Sequence, residues 1–200
     1  MFADRPGAGN PLGVVLDAAD MDTASMQALA AWLNLSETIF FLPTSEAGAD
    51  YRIRIFTPGS ELPFAGHPSV GAAWTVATQG LATPRDGQLV QQCKAGLLPV
   101  RVQGDSPLRI ELRSPHGRPV ENVAPMPPAG LGTIDGTATL WNNGPSWWLV
   151  EAASAAQVRQ LQPDFAAIAA WTDATAATGV AVFAAEPSSS HDPVVRAFCP

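Results

Sequence analysis

An α+β fold is predicted by the order of segments along the chain and by one break in composition. Strand-like and helical segments follow as strand, helix, strand, strand, helix, and then only strands up to Leu112. That order lacks the regular strand–helix alternation of a parallel α/β sheet. The break lies between Ser114 and Gly130, which holds Pro115, Pro119, Pro125, Pro127 and Pro128, a composition typical of domain linkers. The expected organisation is a first lobe over 1–114, a linker over 115–130 and a second, partial lobe over 131–200.

Charge and composition narrow the function classes. The 200 residues carry 11 Lys+Arg against 18 Asp+Glu, a net charge of −7. Such a surface does not suit nucleic acid or an anionic membrane. No apolar run reaches the ~18 residues that cross a bilayer. The first residues show no charged-then-apolar leader pattern. Cys93 and Cys199 make neither a disulfide framework nor a zinc pattern, and the three histidines stand at no ligand spacing. The expectation is a cytoplasmic protein with free thiols and no metal.

Taken in order, Met1 to Pro11 is a Gly- and Pro-rich loop. Its Gly7-Ala8-Gly9 lacks the spacing and the Lys-Ser/Thr ending of a phosphate loop. Leu12–Leu16 is a short apolar strand. Asp20, Asp22 and Thr23 offer N-caps to a helix whose apolar face is Met26, Leu29, Ala30 and Leu33, and Asn34 suits a left-handed stop. Ile39–Leu42 reads as a buried strand. Tyr51–Phe56 alternates, with Tyr51, Ile53 and Ile55 facing one way and Arg52, Arg54 and Phe56 the other. A helix is expected over Pro68–Thr78, with Pro68 at its first position and Val70, Ala73, Trp74 and Ala77 recurring at helical spacing. Strands follow near Gln88–Cys93, Leu98–Val102 and Leu108–Leu112.

Beyond the linker, Ala138–Trp141, Trp147–Glu151, Gly179–Ala184 and Val194–Phe198 read as strands. Helices are expected over Ala155–Leu161 and Pro163–Trp171, with Pro163 in the first turn of the second. Trp141, Trp147, Trp148 and Trp171 read as core, because no basic groove accompanies them. His116 and His191 sit in loops and read as solvated.

Two stretches carry chemistry. Phe56 to Gly71 reads as a strand end, a turn and a helix start, with Gly66 allowing close backbone approach and His67 on the rim. A helix N-terminus presents unpaired N–H groups and partial positive charge, which suits a carboxylate or phosphate. A plain surface helix start is the alternative. In the second stretch, Glu37 stands before the strand with Leu35 and Ile39 beside it. Apolar surroundings would raise its pKa and fit it for proton transfer near neutrality. A solvated or capping glutamate is the alternative. No Gly-x-Ser-x-Gly elbow supports a serine hydrolase.

Gly9-Asn10-Pro11, Ser36-Glu37-Thr38 and Phe56-Thr57-Pro58 with Glu61 and Phe64-Ala65-Gly66-His67-Pro68 resemble the phenazine-biosynthesis PhzF-like family in order and spacing. Weaker matches extend to Lys94-Ala95-Gly96, Gly144-Pro145 and Arg196-Ala197-Phe198-Cys199-Pro200. The resemblance implies a diaminopimelate-epimerase-like fold, with two similar lobes, each a rolled, mostly antiparallel sheet around a central helix, and the active site between them. It implies a cofactor-independent isomerase that moves a proton on a small cyclic or amino-acid-like carboxylate. Glu37 would be the acid/base, His67 would line the same pocket, and Ser36 and Gly66 would contact substrate. A non-catalytic member binding a small anion or a partner, and a lyase on the same site, stay open, as does a homodimer. Cys93 and Cys199 do not fall in the paired-thiol motifs of related racemases. Family members usually continue past the Arg-x-Phe-x-Pro segment, so a fragment, a truncated gene model or a decayed paralogue with impaired activity is expected.

Overall fold

The structure is a computed structural model that describes residues 1, 5, 7, 9–104, 108–113, 117–121, 131, 137–186 and 193–200. His116, His191 and most of the expected linker lie outside the described residues. The chain divides into two compact units, Met1–Pro115 and His116–Pro200.

The first unit is a curled sheet of seven strands. These are β1 (Gly13–Val15), β2 (Thr38–Leu42), β3 (Tyr51–Phe56), β4 (Glu61–Leu62), β5 (Gln88–Cys93), β6 (Gly96–Gln103) and β7 (Arg109–Leu112). Their order is β1-β2-β3-β5-β6-β7, with β4 on β3. The β1–β2 and β3–β5 pairs are parallel and the others antiparallel.

Two helices flank this sheet. α1 (Thr23–Leu33) starts where the Asp22 carboxylate accepts from Ser25 N–H, and it ends at Asn34 with φ 50°, as an N-cap acid and a left-handed Asn predict. α2 (Gly66–Gln79) touches β2, β3, β5, β6 and β7, so the sheet rolls around it. Ala72, Ala73 and Val76 of α2 are buried against Ile39, Ile53, Ile55, Leu89 and Val100. Gly71 permits this approach, because a Cβ there would strike the Leu12 side chain.

The sheet is covered on both sides, which explains the unbroken apolar run of β2. Ile39 and Phe41 enter the core with α2, whereas Phe40 packs with Met26 and Ala30 of α1 and with Phe56. Phe56 was expected on a polar face with Arg52 and Arg54. It is buried instead, because α1 covers that face. The buried stripe of α2 also differs from the expected one: Ala73 is buried, Val70 and Ala77 are half-buried, and Trp74 is exposed.

The second unit is a five-stranded sheet in the order β12-β11-β10-β9-β8. Its strands are β8 (Arg118–Pro119), β9 (Ala138–Asn142), β10 (Ser146–Glu151), β11 (Gly179–Ala184) and β12 (Val194–Phe198). Only β10–β11 is parallel. α3 (Ala155–Gln160) and α4 (Phe165–Ala174) pack on β11, and α3 also on β12. The N-cap of α4 is Asp164, accepting from Ala166 and Ala167 N–H, so Pro163 precedes the helix and is not in its first turn. Of the four tryptophans expected as core, Trp148 is fully buried and stacks on half-buried Trp171 at 4.5 Å. Trp147 is half-buried and Trp141 is exposed at the outer face of β9.

Candidate active site

The site residues of the first unit come from two places where the backbone changes course. The left-handed turn at Asn34 releases the chain from α1 and feeds Leu35, Ser36 and Glu37 into β2. The Glu37 carbonyl accepts from Gly13 N–H at 3.1 Å, which ties this approach to β1. The second place is the turn from β4 into α2. Ala65, with extended backbone, is the N-cap of α2. Gly66, His67 and Pro68 are therefore its first, second and third residues. Pro68 was expected at the first position. The third is equally permissive, because the first four N–H groups of a helix have no partner within it.

These two turns bring His67 to Glu37. Nδ1 of His67 lies 3.0 Å from Oε2 of Glu37, and the two side chains keep 12% and 19% of their surface exposed. His67 is thus folded inward against the carboxylate rather than standing on a rim. Next to the pair, Ser36 Oγ donates to Oδ1 of Asn10 at 3.0 Å. Ser36 and Gly66 are both exposed. A Cβ on Gly66 would meet no described atom within 4 Å. Among the described residues, nothing makes the close approach expected there.

The charge on Glu37 is opposite to the expectation of a raised pKa. Burial does push the carboxyl upward. The His67 imidazole against it, with the adjacent Ser36 hydroxyl, outweighs burial and holds Glu37 below the ordinary glutamate value. The flanking Leu35 and Ile39 suggested only the burial. The partner that does most to reverse its sign, His67, arrives through the fold. Glu37 is therefore a carboxylate at neutral pH.

Two further features lie in the same unit. Glu61 of β4 takes Arg54 Nε and Nη2 at 2.8 and 2.9 Å, a bidentate pair that fixes the short β4 to β3. Burial pushes the Cys93 thiol up, so it stays protonated. Sequence reasoning assigned no site role to Asn10. Its place in the Gly9-Asn10-Pro11 motif was the available signal.

Comparison with known proteins sets this geometry in a family. The model of the family described as phenazine biosynthesis-like protein matches residues 1–200. The chain belongs to the PhzF-like family. Antisense-enhancing sequence 1 of Schizosaccharomyces pombe is 32% identical over all of this chain and 71% of its own length. The trans-2,3-dihydro-3-hydroxyanthranilate isomerase of Pseudomonas aeruginosa is 34% identical over 86% of this chain, and the chain spans 62% of that enzyme. Among solved structures, the PhzF-family protein of Bacillus anthracis superposes with a TM-score of 0.80 at 24% identity, over 99% of this chain and 69% of the other. That likeness shows the fold, the diaminopimelate-epimerase-like architecture of curled sheets that the PhzF-like motifs imply.

Proposed function

We propose that this PhzF-like chain carries the proton-moving half of a cofactor-independent isomerase, acting on a small cyclic or amino-acid-like carboxylate. The observation that supports it is the shielded contact of His67 Nδ1 with Glu37 Oε2 at the start of α2. A carboxylate held ionised at neutral pH begins as a base. Glu37 takes a proton from a carbon next to a conjugated system, and the electron pair of that C–H bond moves into the conjugation. The carboxyl group so formed returns the proton to another carbon of the same substrate, which closes the cycle with no net redox change.

The remaining residues hold and orient. Gly66 and the open first turn of α2 receive the substrate carboxylate, where unpaired N–H groups and the helix dipole favour negative charge. His67 keeps Glu37 ionised and facing the substrate. Ser36, whose hydroxyl rests on Asn10 in the free chain, would turn to contact the substrate. The isomerases among the relatives, named for a hydroxylated, amino-bearing ring carboxylate, fit this class.

The test is proton exchange in heavy water, with trans-2,3-dihydro-3-hydroxyanthranilate and related ring amino acids as substrates. A positioned acid/base contributes ~10²–10⁴-fold, so Glu37→Gln should lose activity on that scale. Exchange by Glu37→Gln at the wild-type rate would remove Glu37 from the mechanism.

A further inference from the structure

Tyr51, Gln91 and Ser69 form a hydrogen-bonded file inside the first unit, and the proton shift above makes no use of it. Gln91 and Ser69 have no exposed surface and Tyr51 has 5%. Ser69 Oγ donates to the Ala65 carbonyl at 2.8 Å. Gln91 Nε2 donates to Ser69 Oγ at 3.0 Å, and the Tyr51 hydroxyl donates to Gln91 Oε1 at 3.2 Å.

One end of the file fixes the direction of every proton. The Ala65 carbonyl can only accept. Ser69 spends its single hydroxyl proton there, so its oxygen must accept from Gln91. The Gln91 amide nitrogen therefore faces Ser69 and its oxygen faces Tyr51. Tyr51 must then donate. Burial, with Cys93 and Asp50 adding to it, pushes the phenol far up, so it keeps its proton. All three donors point the same way, and hydrogen bonds in series strengthen one another in a dry interior.

The file ends at the residue that starts α2. Ala65 is the N-cap and has no side chain to hold the helix start. Its carbonyl also accepts from Ser69 N–H at 3.2 Å, so two donors of one residue grip it. Gly66 and His67 come next in the chain. A polar file through an apolar core is costly unless every member is satisfied, and this one runs from β3 through β5 to the first turn of α2. We propose that Tyr51, Gln91 and Ser69 are positioning residues that lock the first turn of α2 and so hold His67 against Glu37. What the pair then does rests on the proton-shift reading; the locking does not.

The test reads the Glu37 carboxyl by carbon-13 NMR titration of the substrate-free chain. The double variant Tyr51→Phe/Gln91→Met replaces both inner partners with apolar groups of similar shape, a change that can be nearly neutral for stability. In this variant the Glu37 titration should move up towards the ordinary glutamate value, because the His67 contact loosens. Ser69→Ala should move it the same way. Tyr51→Phe alone deletes one oxygen and is read identically should the double variant not fold. Leu89→Ala, a truncation in the same core but outside the file, should leave the titration in place. A folded double variant in which Glu37 titrates as in wild type would overturn the proposal. So would an equal shift in Leu89→Ala. If instead Glu37→Gln keeps full exchange activity, the proton-shift reading fails while the titration result stands.

Discussion

His67 Nδ1 and Glu37 Oε2 are held 3.0 Å apart by two turns of one unit, the left-handed exit from α1 and the entry into α2. One turn is set by left-handed Asn34 and the other by extended Ala65. In His67→Ala the main group that holds the Glu37 value down is lost. The Glu37 value should rise. On the proposed mechanism the carboxylate is the reactive form, so the acid limb of kcat/KM against pH should move to higher pH than in wild type. A rate profile over the acid range checks this, and an unmoved limb would uncouple the two residues.

Glu37 also links stability to pH. Its folded value lies below the ordinary 4.5, so ionisation favours the folded state. That contribution is fully present above the ordinary glutamate value and is lost as pH falls through the lower, folded value. Urea midpoints taken from neutrality down through the carboxylate range should therefore fall less steeply in Glu37→Gln than in wild type.

Gly66→Ala should separate binding from folding. The new Cβ meets no described atom within 4 Å, and Gly→Ala at a compatible backbone stabilises by about 0.4–1 kcal/mol. The thermal midpoint should hold or rise slightly. Anthranilate, a stable ring carboxylate, should bind more weakly, because the methyl group occupies the mouth where it would sit. Unchanged affinity by calorimetry would move the carboxylate site elsewhere.

Gly71→Ala should do the reverse. Its Cβ would drive into Leu12, the residue before β1. Overpacking of this kind costs typically about 1–3 kcal/mol. Chemical denaturation should show the loss.

The sequence was most legible where a local signal and the tertiary setting agree. Tyr51–Phe56 and Gly179–Ala184 were bounded by turn residues, and the strands have those limits. Asp22 and Asn34 cap α1 as their side chains dictate. Motifs single out Glu37, Ser36, Gly66 and His67 as candidates, and the fold brings Glu37 and His67 into contact. What could not be read is whatever a distant segment supplies. Leu35 and Ile39, two residues to either side of Glu37, suggest a raised pKa; the partner that does most to lower it, His67, comes from α2. Phe56 was placed on a polar face because nothing near it in sequence announces that α1 lies across that face. The Tyr51–Gln91–Ser69 file joins three elements, and no one of its residues is conspicuous alone.

The double covering of β2 sets what can be altered here. Phe40 is held from the α1 side, and Ile39 and Phe41 from the α2 side. The strand is a fixed post, and a change to either layer is felt through it by the other. Residues 34–37 form its tip, outside both cores except where Glu37 leans on His67. New acid, base or donor groups at Ser36 or Glu37 would therefore alter what is done to a substrate while leaving unchanged where it is done.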